Sequence, residues 1–201
     1  IPFYYGLLMI HYSYIKSIII EVRMIEQSQF GKGEALHFFL SNANGMKVGL
    51  TNFGARIVEV LLPVEEDGGV RNVSLSGSTD EEYRRTDLYP GSTIVPVAGR
   101  ISGAQTEING VKYCLTENEP GRTLHGGTDT ANEQYWETSV EQENNQVTFG
   151  ITLKDGFDGF PGDVRVLATY RLSDENELFV EYRQSLIRIP FLIQPTMFIL
   201  I

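Results

Sequence analysis

Residues 146–184 read QVTFGITLKDGFDGFPGDVRVLATYRLSDENELFVEYRQ, and the period of two inside that stretch decides the fold. Val147, Phe149, Ile151 and Leu153 alternate with polar or small residues. Val164, Val166, Ala168, Tyr170 and Leu172 share one face of a second run, and Leu178, Val180 and Tyr182 form the matching face of a third. Successive side chains of an extended chain point to opposite sides, so each run acquires one apolar face, as a strand of an antiparallel sheet requires. Working outward, Ser173–Glu177 joins the second run to the third, and Asn144-Asn145 joins ETSVEQE to the first. Asn109-Gly110 inside TEINGVKYCL is the cleanest hairpin signal, because both central positions of a type I′ turn need positive φ. Asn44-Gly45 and Asp67-Gly68-Gly69 punctuate two earlier pairs of runs. No window of helical length keeps a 3.6-residue period, and neither repeat nor linker interrupts the chain. An antiparallel β-sandwich is expected.

The 201 residues suffice for one domain, and 42% hydrophobic residues with 20 Gly and 8 Pro exclude a disordered or fibrous chain. Sixteen Lys and Arg against 26 Asp and Glu give a formal charge of −10. That balance suits neither phosphate backbones nor anionic lipid heads, so neither nucleic acid nor a membrane is expected as a partner. One cysteine, Cys114, excludes an internal disulfide and a thiolate cluster, and His11, His37 and His125 leave little for a metal site. No metal and no cofactor is expected. Residues 1–23 are rich in Ile and Tyr but interrupted by His11, Ser13, Lys16 and Ser17. They suit neither a membrane span nor a signal peptide, and read as a non-native leader before Met24, with a membrane anchor as the rival reading. From Leu186 the alternation stops without a turn, and LIRIPFLIQPTMFILI carries Arg188 as its one charge. A buried strand is one account of this tail, a wrong reading frame the other. Without signal peptide or disulfide, a cytoplasmic location is expected.

Two segments break the strand pattern. Tyr89–Gly103 reads YPGSTIVPVAGRISG, and Thr123–Gly127 reads TLHGG. Small residues around one arginine and one histidine let a ligand approach the backbone. Arg100 offers a planar fork of donors, and His125 a donor or acceptor. From spacing alone the plainer readings are favoured: a surface ion pair for Arg100 and a satisfied loop histidine for His125. The run DGFDGFPGD at Asp155–Asp163 invites calcium, but its spacing is not that of an EF-hand. Phe157, Phe160 and Pro161 favour a structural loop. Trp136 reads as core ahead of sugar stacking, and Asp80, Glu81 and Glu82 beside Arg84 and Arg85 as a solvated charge run.

In order and spacing, residues 24–185 resemble the N-terminal part of the aldose 1-epimerase (galactose mutarotase) family. The resemblance is carried by Asn52-Phe53-Gly54-Ala55, by Tyr89-Pro90-Gly91 leading to Val97-Ala98-Gly99-Arg100-Ile101, and by Asn109-Gly110 with Tyr113 and Leu115. Asn118, Leu124-His125-Gly126-Gly127, Trp136 and the Asp155-Gly156…Gly159-Phe160-Pro161-Gly162 loop complete it. It implies an all-β, antiparallel β-sandwich of the galactose mutarotase type, C-terminally truncated, with the sugar in an open cleft on one sheet. It also implies substrate binding by Gly99, Arg100 and His125, and an isomerase that interconverts the α and β anomers of free hexoses such as galactose and glucose. In the family reaction a glutamate takes the C1 hydroxyl proton while a second histidine protonates the ring oxygen. The ring opens, C1 turns and the ring closes, with neither metal nor organic cofactor.

Val95-Pro96 stands where many members have Gly-Arg. The catalytic histidine belongs in a Thr-Asn-His-x-Tyr stretch after the strand ending near Ser185. That place holds Gln194-Pro195-Thr196-Met197-Phe198-Ile199-Leu200, and no histidine follows His125. The catalytic glutamate and a sugar-binding aspartate belong to a C-terminal portion that this sequence does not contain. Written in one permitted choice of codons, CAA CCA ACC ATG TTT ATA TTA, and read from the third base, the tail gives Thr-Asn-His-Val-Tyr-Ile. A frameshift near residue 185 is therefore the preferred expectation for 186–201. No catalytic residue is assigned, and the chain is expected to be inactive as written. The alternatives are a non-catalytic carbohydrate-binding module, a hexose-6-phosphate epimerase and a purely structural module. Sugar preference and oligomeric state stay open.

Overall fold

Turn chemistry and alternation together build the first sheet. The computed structural model describes residues 25–64, 69–86 and 88–187, with the backbone of Phe198 and Ile199; the leader read at 1–23 and most of the tail lie outside them. Strands β1 (Glu26–Gln29), β2 (Leu36–Ser41), β3 (Lys47–Thr51), β4 (Arg56–Pro63) and β5 (Val70–Asn72) form an antiparallel meander in that order. Asn44-Gly45 folds β2 onto β3, with Ser41 opposite Lys47. Pro63 faces Val70 across β4 and β5, while Asp67-Gly68 of that predicted turn lies outside the described residues.

After a five-residue helix α1 (Asp80–Arg84) come the short strands β6 (Thr93–Ile94), β7 (Arg100–Ser102), β8 (Gln105–Ile108), β9 (Val111–Cys114) and β10 (Arg122–Leu124). The β8–β9 hairpin turns at Asn109 and Gly110 with φ of 51° and 78°, the double positive φ that the dipeptide predicts. The second meander is β11 (Glu137–Glu141), β12 (Gln146–Leu153), β13 (Val164–Leu172) and β14 (Leu178–Leu186). A final pair, β15 (Phe198–Ile199), lies against β6.

The two meanders pack face to face. Phe38, Leu40, Val48, Leu50 and Ile57 from the first meet Val147, Phe149, Val166, Ala168 and Tyr170 from the second in one buried cluster. Phe38 and Phe149 meet edge to face at 5.7 Å, a geometry aromatic quadrupoles favour. This is the antiparallel β-sandwich expected from the alternation. Trp136 is buried in the same core and its Nε1–H donates to the Ala131 carbonyl at 2.8 Å, which leaves its indole no role on a ligand surface. Tyr170 fastens the sheets to β6: its hydroxyl donates to the Ala55 carbonyl at 2.7 Å and meets Thr93 Oγ1 at 3.1 Å. Full burial pushes that phenol well above its usual pKa.

A second cluster, Phe30, Ala35, Phe53, Val58 and Tyr83, covers the outer face of the first sheet. At its centre Arg56 is 1% exposed, with its guanidinium 4.3 Å from the Tyr83 ring centre. It donates to the carbonyls of Phe53 at 3.1 Å and Asn132 at 2.7 Å. Desolvation lowers its pKa to about 10, so it stays charged at neutral pH. Helix α1 closes this cluster; Glu81, Glu82, Arg84 and Arg85 are exposed, as the reading of a solvated charge run expects, and Asp80 is the exception that corrects it. Asp80 is 2% exposed and accepts a hydrogen bond from the Tyr135 hydroxyl at 2.6 Å, and Arg84 lies 4.4 Å over the Phe53 ring. Asp80 is buried because its partner comes from 55 residues away, which no local charge pattern discloses. No helix among the described residues is long and apolar enough to cross a membrane.

Candidate functional site

Strands β7 and β10 run antiparallel with Arg100 opposite Leu124 and Ser102 opposite Arg122. That register sets Gly99 beside His125 just beyond the ladder. The His125 amide donates to the Gly99 carbonyl at 2.9 Å, and the Gly99 amide donates to His125 Nδ1 at 3.1 Å. Since Nδ1 accepts, the ring proton is assigned to Nε2. The Tyr89 ring stands edge-on to the imidazole at 4.9 Å. Burial foremost, then the charge of Arg100, holds the His125 pKa below its ordinary value, with Glu119 opposing. His125 is thus a neutral imidazole with a donor at Nε2 at neutral pH. Gly99, Arg100 and His125, separated by up to 26 residues in sequence, come together here.

The run after Leu124 follows from sterics. His125 takes φ of 53°, and Gly126 and Gly127 follow at 91° and 120°. A Cβ on Gly126 would stand 2.9 Å from Pro96 Cδ, and one on Gly127 would collide with the Asp158 carboxyl group. Glycine is the residue that fits both the backbone and the space. Asn118 clamps this turn from outside: its Nδ2 donates to the carbonyls of Leu124 at 2.9 Å and Gly127 at 2.7 Å, while Oδ1 accepts the Leu124 amide at 2.7 Å.

The Asp155–Asp163 loop is a brace under that turn. Asp158 is buried, and its two oxygens accept the amides of Thr128 at 2.9 Å and Asp129 at 3.1 Å. Asp163 accepts the Asp155 amide at 2.9 Å. Asp158 thus serves backbone donors of the neighbouring turn, whereas Asp163 serves its own loop and pairs with Lys154 Nζ at 3.4 Å. Among the described residues, no cluster of three or more His, Cys, Asp and Glu is arranged to hold a metal ion.

One residue of the site escapes the sequence reading. Glu119 accepts Arg100 Nε–H at 2.7 Å and Nη2–H at 2.8 Å, and lies 3.3 Å from Arg122 Nε. It opens a tight turn, Glu119-Pro120-Gly121-Arg122, with Gly121 at φ of 71° and reciprocal amide–carbonyl bonds between Glu119 and Arg122. Pro followed by Gly is the signature of a type II turn, and that signal was available in the sequence. Glu119 is held below the usual carboxylate range chiefly by its hydrogen bonds from Arg100. On the other side of β7, Ile101 helps Val97, Thr106, Ile108 and Phe160 line an open cavity of about 360 Å³. Neighbouring strand residues point opposite ways, so this cavity and Arg100 belong to different faces.

Comparison with known proteins agrees with this architecture. The aldose 1-epimerase family model matches residues 37–197. The aldose 1-epimerase of Streptococcus thermophilus is 35% identical over 150 residues, which cover 74% of this chain and 43% of that protein. The aldose 1-epimerase of Escherichia coli (strain K12) is 32% identical over 146 residues, 73% of this chain and 42% of its own length. The crystal structure of galactose 1-epimerase from Lactobacillus acidophilus superposes with a TM-score of 0.69 at 26% identity, covering 80% of this chain and 48% of that one. The chain belongs to the aldose 1-epimerase family. It spans less than half the length of each of these relatives.

Proposed function

We propose that this chain carries the sugar-binding segment of an enzyme that interconverts the α and β anomers of free hexoses, galactose among them, and that by itself it binds sugar without turning it over. The observation that carries the reading is the junction of Arg100 and His125 at the end of the β7–β10 ladder in a chain of this family. Arg100 donates to sugar hydroxyls, His125 donates from Nε2, and Gly99 leaves the approach open, since a Cβ there would meet nothing within 4 Å.

Anomer exchange needs a base that removes the C1 hydroxyl proton and an acid that protonates the ring oxygen as the C1–O5 bond breaks. The groups at this site suit neither task. His125 is neutral, with its Nδ1 lone pair already used by Gly99. The Glu119 carboxylate is paired with Arg100 and depressed in pKa, which makes it a weak base. No histidine follows His125 in the sequence.

The test is a pair of measurements on the full chain. Polarimetry of freshly dissolved α-D-galactose should show the uncatalysed rate of mutarotation. Titration with galactose, followed by amide NMR, should perturb Gly99, Arg100 and His125, and the perturbation should vanish in R100A and H125A. An accelerated polarimetric rate overturns the loss of catalysis. Absence of binding, or binding indifferent to both substitutions, overturns the site and favours a structural module.

A further inference from the structure

Arg100 meets any ligand already paired. The side edge of its guanidinium, Nε and Nη2, is taken by the two oxygens of Glu119, and the same carboxylate approaches Arg122. Arg100 and Arg122 lie two residues apart along the ladder, each opposite a residue of the other strand, and so face the same side. The cluster therefore holds two cations with one carboxylate between them. Among the described residues, Glu119 is the acid that forms an ion pair with either arginine.

This arrangement discriminates by charge. A carboxylate or phosphate gains most from an arginine by taking two parallel N–H donors. Here one edge is filled, and an anion arriving at the remaining donors comes close to the Glu119 carboxylate, so like-charge repulsion opposes it. A hydroxyl needs one donor at a time, which Nη1 provides, and carries no charge to be repelled.

We infer that Glu119 is a specificity-determining residue that biases the site toward neutral hexoses and against anionic ones, such as uronic acids and sugar phosphates. The inference rests on the proposed role of Arg100 and His125. It assigns to the turn at Pro120-Gly121 a function beyond connection: it presents the Glu119 carboxylate to Arg100 and Arg122.

The experiment compares the full chain with E119Q and E119A, each titrated with D-galactose, D-galacturonate and D-galactose 6-phosphate. In the native chain both anions should bind more weakly than galactose. Removing one negative charge at contact distance should raise the anion-to-galactose affinity ratio by about fivefold or more in E119Q. E119A separates the two roles open to this carboxylate, because a residue that only steadied Arg100 would weaken all three ligands alike and leave the ratio unchanged. Native-like amide dispersion in each variant confirms the fold. A ratio that rises less than this in both variants, or native binding of galacturonate as tight as that of galactose, overturns the inference and leaves the sugar site standing. Failure of galactose itself to bind the native chain removes both.

Discussion

Gly99 and His125 are joined by two hydrogen bonds, main chain to main chain at 2.9 Å and main chain to imidazole at 3.1 Å, so the candidate ligand-binding ring is also a structural tie. Replacing His125 by Ala removes the second bond and retains a non-glycine residue at φ of 53°. The expected loss is about 1–2 kcal/mol, because one partly buried amide loses its acceptor. Asn tolerates the left-handed region better than Ala, so H125N should unfold at a higher urea concentration than H125A while binding galactose no better. Urea midpoints for the two variants check the order.

Acid should loosen this protein before its carboxylates titrate. Burial lowers the pKa of both His37 and His125 relative to the unfolded chain. Between the folded values and about 6.5 the unfolded state binds more protons, so stability rises with pH across that window and is lost as pH falls through it. Urea midpoints should decline from pH 7.5 toward pH 5, and H125N should show a shallower decline. A flat native profile over that range would sink the prediction.

Asn118 makes three hydrogen bonds to the turn that carries His125. N118A should cost about 1–3 kcal/mol and weaken galactose binding, since the imidazole is then free to shift. N118D keeps the acceptor for the Leu124 amide but sets a carboxylate oxygen against the Leu124 and Gly127 carbonyls, and should cost at least as much as N118A. Calorimetric unfolding with a galactose titration of each variant tests both effects.

Two glycines of the site should respond very differently to the same methyl group. G127A drives a Cβ into Asp158 at φ of 120° and should cost about 3 kcal/mol or more. G99A meets open space and bears only the conformational penalty of φ at 93°, about 1–2 kcal/mol. Thermal unfolding of the two variants under one condition decides the matter.

Much of the sandwich was legible because its information is local. Val164 to Leu172 alternate on the page as they do in burial, and Asn109-Gly110 names its own turn. Asp80 was not legible, since its burial depends on Tyr135. The site was legible in a different way. Spacing alone favoured a surface ion pair for Arg100, and that ion pair exists, with Glu119. What brought Arg100 to Gly99 and His125 in advance was the ordered set of family motifs, whereas the register of β7 on β10 supplies the physical cause. Glu119 stayed hidden because its carboxylate meets Arg100 through that register, 19 residues away.

In both main sheets every strand pairs with its sequence neighbour, whereas the faces that pack together are far apart: Phe38 meets Phe149 across 111 residues of chain. Each meander can close through short loops at small entropic cost, and only their docking must wait for a long loop to close. The speed of folding is accordingly set by the apolar layer between the sheets. Substitutions at Phe38 or Phe149 should slow refolding, while changes in the turn of the β8–β9 hairpin, Asn109-Gly110, should leave it nearly untouched.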